Sequence, residues 1–230
     1  MKLANYSNTA VIIPAHNSGK SLKLLLPRVL KYFPSRSVFV IDDGSKDNTI
    51  KEAKKFKVRI AIHPKNRGKG AALQTGFNRA IKNNFEFAIT IDSDLQHEPE
   101  SIPFFLEFQN KYFAGMVIGK RSYNLGVMPV MRILSNKITS GIIAFLTGEN
   151  IKDSQSGYRL YDLDSIKNLS FKTNRFQFET EILFQYIRKN KIIVNLPINT
   201  IYSDEKSYIS HFRDIKNFIY VLFSELLKGI

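Results

Sequence analysis

The sequence contains no cysteine, no long apolar run and few acidic residues for its size. Without cysteine the chain forms neither disulfides nor thiolate metal sites, which is compatible with a reducing cytoplasm. Because no stretch of about 18 apolar residues occurs, we expect no helix that spans a bilayer. Residues 1–17 also lack the apolar run of a signal peptide, so we expect a cytoplasmic protein.

The charge balance is strongly basic, with 34 lysines and arginines against 20 aspartates and glutamates and a formal net charge of +14. Such a surface favours polyanionic partners: nucleic acid, nucleotide phosphates or an anionic membrane face. A solvated lysine-rich surface explains the same balance equally well. Hydrophobic residues make up 43% of the 230 residues and aromatic residues 12%, which is enough for a buried core and excludes a disordered chain.

Short apolar runs alternate with amphipathic segments over the first hundred residues. The pattern predicts strands over 10–14, 37–43, 58–64 and 86–94, and helices over 18–33, from about 48, and over 68–84. Strands separated by helices in this way predict βαβ units in a mainly parallel sheet.

The second half of the chain is less regular. We predict helices over 99–111, 179–190 and 210–228, strands over 116–119 and 191–197, and an apolar segment within 126–148. No internal repeat, low-complexity linker or clear boundary is present. We therefore expect a single domain over residues 1–230.

Two aspartates end the fourth predicted strand in the stretch ITIDSDLQHEPE. Alternate side chains of a strand share a face, so Asp92 and Asp94 point the same way and Ser93 points opposite. Ligands of open parallel sheets bind beyond the carboxyl ends of the strands, where this pair falls. Such carboxylates suit Mg²⁺ or Mn²⁺, with the amide oxygen of Gln96 as a third ligand. Taken alone, the pair is equally compatible with a capped turn.

Two other predicted strands also end in polar residues. Asp42 and Asp43 follow the second strand, where a carboxylate can accept hydrogen bonds from a base or a ribose hydroxyl. For Asp43, an Asx turn with Gly44 is an equal alternative. The first strand ends in PAHNSGK, which places Asn17 and Ser18 at the same edge. Three polar strand ends on one edge of a sheet predict a site more strongly than any single pair does.

Six motifs occur in the order found in family 2 glycosyltransferases of the GT-A fold: VIIPAHN, VIDDGSKDNT, KNRGKGAALQTGF, TIDSDLQHEPE, GKRSY and DSQSGYRLY. The chain most resembles the branch of dolichol-phosphate mannose synthases and polyprenyl-phosphate glycosyltransferases, which typically carry D-x-D-x-Q-H-x-P-E. The resemblance covers residues 9–210 and implies an α/β fold with helices flanking the sheet. It also implies a nucleotide-sugar-binding half over 9–125 and an acceptor-binding half over 126–230 that ends in an amphipathic helix.

The resemblance implies roles in donor binding. The positions matching the family's metal ligands are Asp92, Asp94 and Gln96. The positions matching its nucleotide-sugar contacts are Pro14, Ala15, Asn17, Asp42, Lys69, Asp92, Ser93 and Lys206. The chain departs from the family's P-x-Y-N-E pattern, because His16 replaces the tyrosine and Ser18 the glutamate. The glycines beside Lys69 are equally compatible with a purely structural turn.

The resemblance also implies roles in acceptor binding and catalysis. Arg121 corresponds to an arginine that faces the acceptor phosphate and, with Asp94, is assigned to catalysis. Arg132 and Ser135 lie where relatives place further lipid-phosphate contacts. Arginine suits phosphate because its planar fork donates two hydrogen bonds at once. For at least one of Arg121 and Arg132, the alternative is an exposed arginine on an amphipathic segment.

Four acidic residues match the family without a defined role: Asp43, Asp153, Glu179 and Glu181. Asp153 is a candidate for positioning the acceptor loop. Acidic residues in the first turn of a helix suit its dipole, so we expect a structural role for Glu179 or Glu181. We expect Tyr158 in the core. The histidines show no zinc-like spacing and are interpreted as turn or surface residues: His63, His97 and His211.

The implied reaction is inverting transfer of a hexose from a nucleotide-diphosphate sugar, of the GDP-mannose or UDP-glucose type, to a polyprenyl (dolichyl or undecaprenyl) phosphate. A phosphate monoester has a second pKa of about 6 and is largely dianionic at neutral pH, so the acceptor needs little deprotonation. Such an enzyme is expected on the cytoplasmic membrane face, docked on anionic lipid through residues 128–146 or the final helix. No nucleic-acid reading motif is present, so nucleic acid is not an expected partner.

Two alternative reactions keep the same strand-end carboxylates. Transfer to a glycan hydroxyl requires a carboxylate base, for which Glu179, Glu181 and Asp153 are candidates. A nucleotidyltransferase is the more distant alternative, since such enzymes typically carry a glycine- and basic-rich loop after the first strand. PAHNSGK is a poor version of that loop.

Overall fold

A computed structural model of the chain describes residues 2–122, 130–167, 169, 171–175, 177–201, 218, 222 and 224, with backbone only for 130–132. The predictions for Lys206, His211 and almost all of the helix over 210–228 fall outside these residues.

Within the described residues, seven strands form one sheet at the centre of the fold. Its strands are β1 (Thr9–Ala15), β2 (Val38–Asp42), β3 (Arg59–Ile62), β4 (Phe87–Thr90), β5 (Met116–Arg121), β6 (Arg159–Asp162) and β7 (Ile193–Ile198). They lie in the order β3-β2-β1-β4-β6-β5-β7. All neighbouring pairs are parallel except those of β6, which is antiparallel to both β4 and β5. The predicted α/β class and mainly parallel sheet are confirmed.

Helices connect the strands. They are α1 (Gly19–Val29), α2 (Thr49–Lys55), α3 (Lys69–Lys82), α4 (Ile102–Tyr112), α5 (Val130–Thr147) and α6 (Phe178–Arg188). In the part of the chain that the structure describes, none of the helices is long and apolar enough to cross a membrane.

Two hydrophobic layers cover the two faces of the sheet. Alternate residues of β1 divide between them: Val11 and Ile13 face the layer that contains α1, α2 and α4, whereas Ala10 and Ile12 face α3, α5 and α6. In α1 the fully buried positions recur with helical spacing, at Leu22, Leu25, Leu26 and Val29. Burying such a side chain contributes about 1.5–3 kcal/mol, so this periodicity fixes the helix against the sheet.

Two sequence-based expectations need correction. The fourth predicted strand ran to residue 94, but β4 ends at Thr90, and Asp92 and Asp94 lie in the turn that follows. The turn is tight, since Leu95 adopts a φ of 64°. The strand β6 was not predicted; it is a short buried strand that crosses back between β4 and β5.

Candidate functional site

The carboxyl ends of β1, β2 and β4 meet at one edge of the sheet. Ala15 lies in register with Asp42, and the Asp43 N–H donates to the Ala15 carbonyl at 2.8 Å. Ser18 and Ser93, which follow β1 and β4, have their hydroxyl oxygens 2.9 Å apart. The structure therefore brings together the three polar strand ends, with Pro14 and Ala15 buried at the end of β1.

Asn17 joins the loop after β1 to the loop after β2. Its backbone has a φ of 53°, its N–H donates to Ser45 Oγ at 2.9 Å, and its side-chain oxygen accepts from the Lys46 N–H at 2.8 Å. Asp42 is buried at the same place: one carboxylate oxygen accepts from the Ser45 N–H at 3.3 Å. The other, Oδ1, is buried without a hydrogen-bond partner among the described residues. An acceptor of this kind is costly to leave unpaired, so it marks a place for a donor group of a ligand.

Asp43 supports the loop that leads into α3. Its carboxylate accepts hydrogen bonds from the Arg67 N–H at 2.9 Å and the Gly68 N–H at 2.7 Å, and pairs with His63 Nδ1 at 2.7 Å. The other ring nitrogen of His63 lies 2.9 Å from Thr75 Oγ1 in α3. His63 is buried just after β3, so of its two interpretations, as a turn or a surface residue, the surface one is wrong. The geometry gives Asp43 a structural task, which is to fix the loop that precedes Lys69.

Replacing Asp43 by asparagine is expected to lower the free energy of unfolding by about 2 kcal/mol, because the loop loses its charged acceptor and a buried N–H is left poorly paired. Urea unfolding followed by circular dichroism measures the change. Glu107→Gln, on the exposed side of α4, is the control and should leave the midpoint unchanged. An unchanged midpoint for Asp43→Asn would contradict a supporting role for this carboxylate.

Lys69 begins α3 and reaches two carboxylates across the sheet edge. Its Nζ lies 2.7 and 2.9 Å from the two Asp92 oxygens and 3.1 Å from Glu179 Oε1. Burial lowers the pKa of Lys69, but the two carboxylates outweigh burial and raise that pKa above its usual value. Burial raises the pKa of Asp92, but Lys69 outweighs it and the net shift is downward. Burial dominates for Glu179, whose pKa is raised. Lys69 and Asp92 are thus both charged at neutral pH.

Gly157 closes over this cluster from the loop before β6. A Cβ at Gly157 would lie 2.5 Å from Asp92 Oδ2 and 3.0 Å from Glu179 Oε1, and closer still to Lys69 Nζ. The Gly157 carbonyl is fixed by the Thr90 hydroxyl, which donates to it at 2.7 Å. Only a glycine leaves room here for the three charged groups.

Arg159 holds the same loop against α6. It is fully buried and donates to three backbone carbonyls, those of Ser156 at 2.7 Å, Ser154 at 2.6 Å and Glu179 at 2.9 Å. Sequence reasoning did not single out this residue. The available signal was its place at the end of the D-S-Q-S-G-Y-R motif, directly after Tyr158, which is buried in the core as expected.

A second charged group lies on β5. Arg121 donates to Asp153 through Nε at 2.8 Å, Nη2 at 2.9 Å and its own backbone N–H at 3.1 Å. Asn136 of α5 donates to the same carboxylate at 2.8 Å. Burial raises the pKa of Asp153, but the Arg121 guanidinium outweighs it and holds that pKa below its usual value. Asp153 therefore fixes the orientation of Arg121 and ties it to α5.

The other predicted acceptor residues are on α5. Ser135 is half-buried and directly precedes Asn136, whereas the side chain of Arg132 is not described. Glu181 accepts hydrogen bonds from the Lys172 N–H at 2.8 Å, the Thr173 N–H at 2.9 Å and the Thr173 hydroxyl at 2.6 Å. It holds the loop before α6, in agreement with the structural role expected for one of the two glutamates.

Divalent-cation ligands are available in the turn after β4. Asp94 Oδ1 accepts from the Gln96 N–H at 3.0 Å, so the carboxylate and the amide residue belong to one tight turn. No group of three acidic or histidine side chains is preassembled around a metal position within the described ranges. The oxygen donors are nevertheless of the kind that Mg²⁺ and Mn²⁺ prefer, and the Lys69 ammonium already pairs with one of them, Asp92.

His97 directly follows the same turn and is buried, so of its two interpretations, as a turn or a surface residue, the surface one is wrong here as well. Its ring lies 5.2 Å from that of Tyr158. Burial lowers its pKa to about 4, so the imidazole is neutral at neutral pH. The charge of Asp92 raises this pKa and the charge of Arg121 lowers it, but burial has the larger effect.

The sequence profile described as Glycosyl transferase family 2 matches residues 10–170. A UDP-N-acetylglucosamine–dolichyl-phosphate N-acetylglucosaminyltransferase of Methanococcus voltae is 32% identical over 84% of this chain and 86% of its own length. An undecaprenyl-phosphate mannosyltransferase of Micrococcus luteus is 29% identical over 81% of each chain.

Among solved structures, the fold is similar to that of glucosyl-3-phosphoglycerate synthase from Mycobacterium tuberculosis, crystallised with Mn²⁺, uridine diphosphate and glucosyl-3-phosphoglycerate. The TM-score is 0.74 over 95% of this chain and 79% of that chain, at 18% identity. The expected GT-A fold is confirmed by this similarity.

Proposed function

The chain belongs to glycosyl transferase family 2, and on that premise we propose that this glycosyltransferase moves a hexose from a nucleotide-diphosphate sugar to a polyprenyl phosphate. The observation that carries the proposal is that two cationic side chains are each oriented by a carboxylate, Lys69 by Asp92 and Arg121 by Asp153. Lys69 contacts both oxygens of the Asp92 carboxylate, and Arg121 is held on β5 by two side-chain hydrogen bonds to Asp153. The reaction joins two phosphorylated substrates, and each needs a cation. In this proposal Lys69 contacts the donor diphosphate and Arg121 contacts the acceptor phosphate.

In this proposal the donor lies across the carboxyl ends of β1, β2 and β4. The backbone of Pro14, Ala15 and Asn17 borders the nucleotide, and the unpaired Asp42 Oδ1 accepts from its base or ribose. Asp92, Asp94 and Gln96 would hold Mg²⁺ or Mn²⁺, and the ion would neutralise charge on the departing diphosphate. Lys69, Ser93 and Lys206 complete the donor contacts.

The acceptor phosphate is oriented by Arg121, with Arg132 and Ser135 as further contacts. One of its oxygens attacks the anomeric carbon while the bond from that carbon to the diphosphate breaks, which inverts the configuration. Asp153 keeps the guanidinium in place for this attack. A dianionic phosphate needs no general base, so the reaction requires only positioning and charge stabilisation.

The three carboxylates considered as bases for a glycan hydroxyl are each engaged otherwise. Asp153 accepts from Arg121 and Asn136, Glu181 accepts from the loop before α6, and Glu179 pairs with Lys69. Their engagement favours the phosphate acceptor over the hydroxyl acceptor. The names of relatives from Methanococcus voltae and Micrococcus luteus, which specify dolichyl and undecaprenyl phosphate, support the same choice.

We further propose that the enzyme works at an anionic membrane face. The helix α5, which carries Ser135 and Asn136, also exposes apolar side chains with helical spacing: Leu134, Ile138, Ile142 and Phe145. Phe145 is 88% exposed, an unusual position for so large an apolar group. The net charge of +14 favours anionic lipid.

Incubation with radiolabelled GDP-mannose, UDP-glucose or UDP-N-acetylglucosamine, together with Mn²⁺ and polyprenyl phosphate, is expected to move label from one of these donors into an organic extract and to release the nucleoside diphosphate. Asp94→Asn is the matched control and should transfer little label. Label retained in a water-soluble glycan would favour the hydroxyl acceptor instead. Release of pyrophosphate would favour a nucleotidyltransferase.

A further inference from the structure

We propose that Glu179 is a positioning residue that keeps Lys69 at the site when a divalent cation binds Asp92. The metal and the lysine then share the Asp92 carboxylate. The proposal rests on the proposed function only in placing a metal at Asp92 and Asp94. It gives a function to the contact between Glu179 and Lys69.

Glu179 and Asp92 approach Lys69 from different parts of the fold. Asp92 follows β4, Glu179 lies in the first turn of α6, and Lys69 Nζ lies within 3.1 Å of both. All three groups lie against the backbone of Gly157, since a Cβ there would touch each of them. Three elements of the fold therefore bring these charged groups into contact with one another.

The charges of the cluster explain why a second carboxylate is needed. An ammonium and a divalent cation on one carboxylate repel each other, and partial burial strengthens that repulsion. With Asp92 alone, Lys69 would be displaced by the metal or would oppose its binding. The Glu179 carboxylate lies 3.1 Å from Nζ, and in this proposal its negative charge offsets the repulsion.

The neighbouring glutamate shows what a purely structural acid looks like at this helix start. Glu181 directs its carboxylate to the backbone N–H groups of Lys172 and Thr173. Glu179 instead directs its carboxylate at a cation, while its backbone carbonyl is the group that Arg159 holds. The Glu179 side chain thus contacts the Lys69 ammonium, and its backbone carbonyl contacts Arg159.

The test is a double-mutant cycle on Mn²⁺ affinity, with free Mn²⁺ measured by electron paramagnetic resonance and without donor or lipid. Glu179→Gln is expected to weaken Mn²⁺ binding about tenfold, within the usual range for coupled sites. In a Lys69→Met background, where no ammonium opposes the metal, the same change is expected to alter the affinity less than about twofold. A purely structural glutamate would not produce this difference.

An equal weakening in both backgrounds would overturn the proposal, because Glu179 would then act on the metal directly and not through Lys69. No weakening in either background would overturn it as well. Should Glu179→Gln fail to fold, Glu179→Asp keeps the charge, withdraws it from Nζ and should still weaken Mn²⁺ binding only when Lys69 is present. Since neither sugar nor lipid takes part, the cycle can succeed even if the transfer assay fails.

Discussion

Replacing Gly157 by alanine is expected to lower glycosyl transfer about a hundredfold, the loss that a displacement of about 1 Å in a reacting site produces. The added Cβ would lie 2.5 Å from Asp92 Oδ2, far inside van der Waals contact. Asp92 and Lys69 must therefore move, and both are proposed donor-binding groups. The initial rate of label transfer, measured at several donor concentrations, gives the change in kcat/KM.

The same substitution should leave the protein folded. The atoms that the new methyl group meets are the ends of the Lys69, Asp92 and Glu179 side chains, which can shift without moving the sheet, and Gly157 does not adopt a positive φ. The matched control is Gly141→Ala in α5, where a Cβ meets nothing within 4 Å. The control should keep full activity and gain about 0.4–1 kcal/mol of stability. Full activity of Gly157→Ala would contradict the proposed site.

The first half of the fold was predictable because its signals are local. The strands β1, β2 and β4 are buried runs, and α1 and α3 place apolar residues at a helical period. The order of these elements implied a parallel sheet, and a parallel sheet implied that the polar strand ends would meet. These steps need no knowledge of distant contacts, and the structure bears out the meeting of the strand ends.

The parts that escaped prediction depend on partners distant in sequence. Nothing local marks Arg159 as buried, because its three carbonyl partners are supplied by the preceding loop and by α6. The strand β6 begins at this arginine, so it carries a charged residue where a buried strand was not expected. His97 is buried against Tyr158, which lies 61 residues later.

The roles of the four acidic residues also depend on partners that are distant in sequence. Asp43 and Glu181 accept backbone N–H groups and support loops, whereas Asp153 and Glu179 pair with Arg121 and Lys69. The sequence shows four carboxylates in matching motifs and no partner for any of them. Only the tertiary fold, which sets each partner, separates a supporting carboxylate from one that orients a cation.

Replacing Asp153 by asparagine is expected to lower the free energy of unfolding by about 3–5 kcal/mol, because it leaves the buried Arg121 guanidinium without its counter-charge. The side chain of Asp153 is fully buried and that of Arg121 is 9% exposed. The control is Glu100→Gln, which breaks a two-point pair with Arg28 at the surface. The Glu100 side chain is 46% exposed and that of Arg28 is 29% exposed. Glu100→Gln should therefore lower the free energy of unfolding by less than about 1 kcal/mol. Urea unfolding at neutral pH measures both variants.

The pH dependence separates the lost charge from a packing defect. Arg121 holds the pKa of folded Asp153 below its ordinary value of 3.8, so the pair contributes stability above that value and loses it as pH falls through the lowered pKa. The difference in unfolding free energy between the parent protein and Asp153→Asn should therefore be constant near neutral pH and shrink in acid. A packing defect would persist at every pH. A gap that stays constant into acid would show that Asp153 stabilises the fold by shape and not by its charge on Arg121.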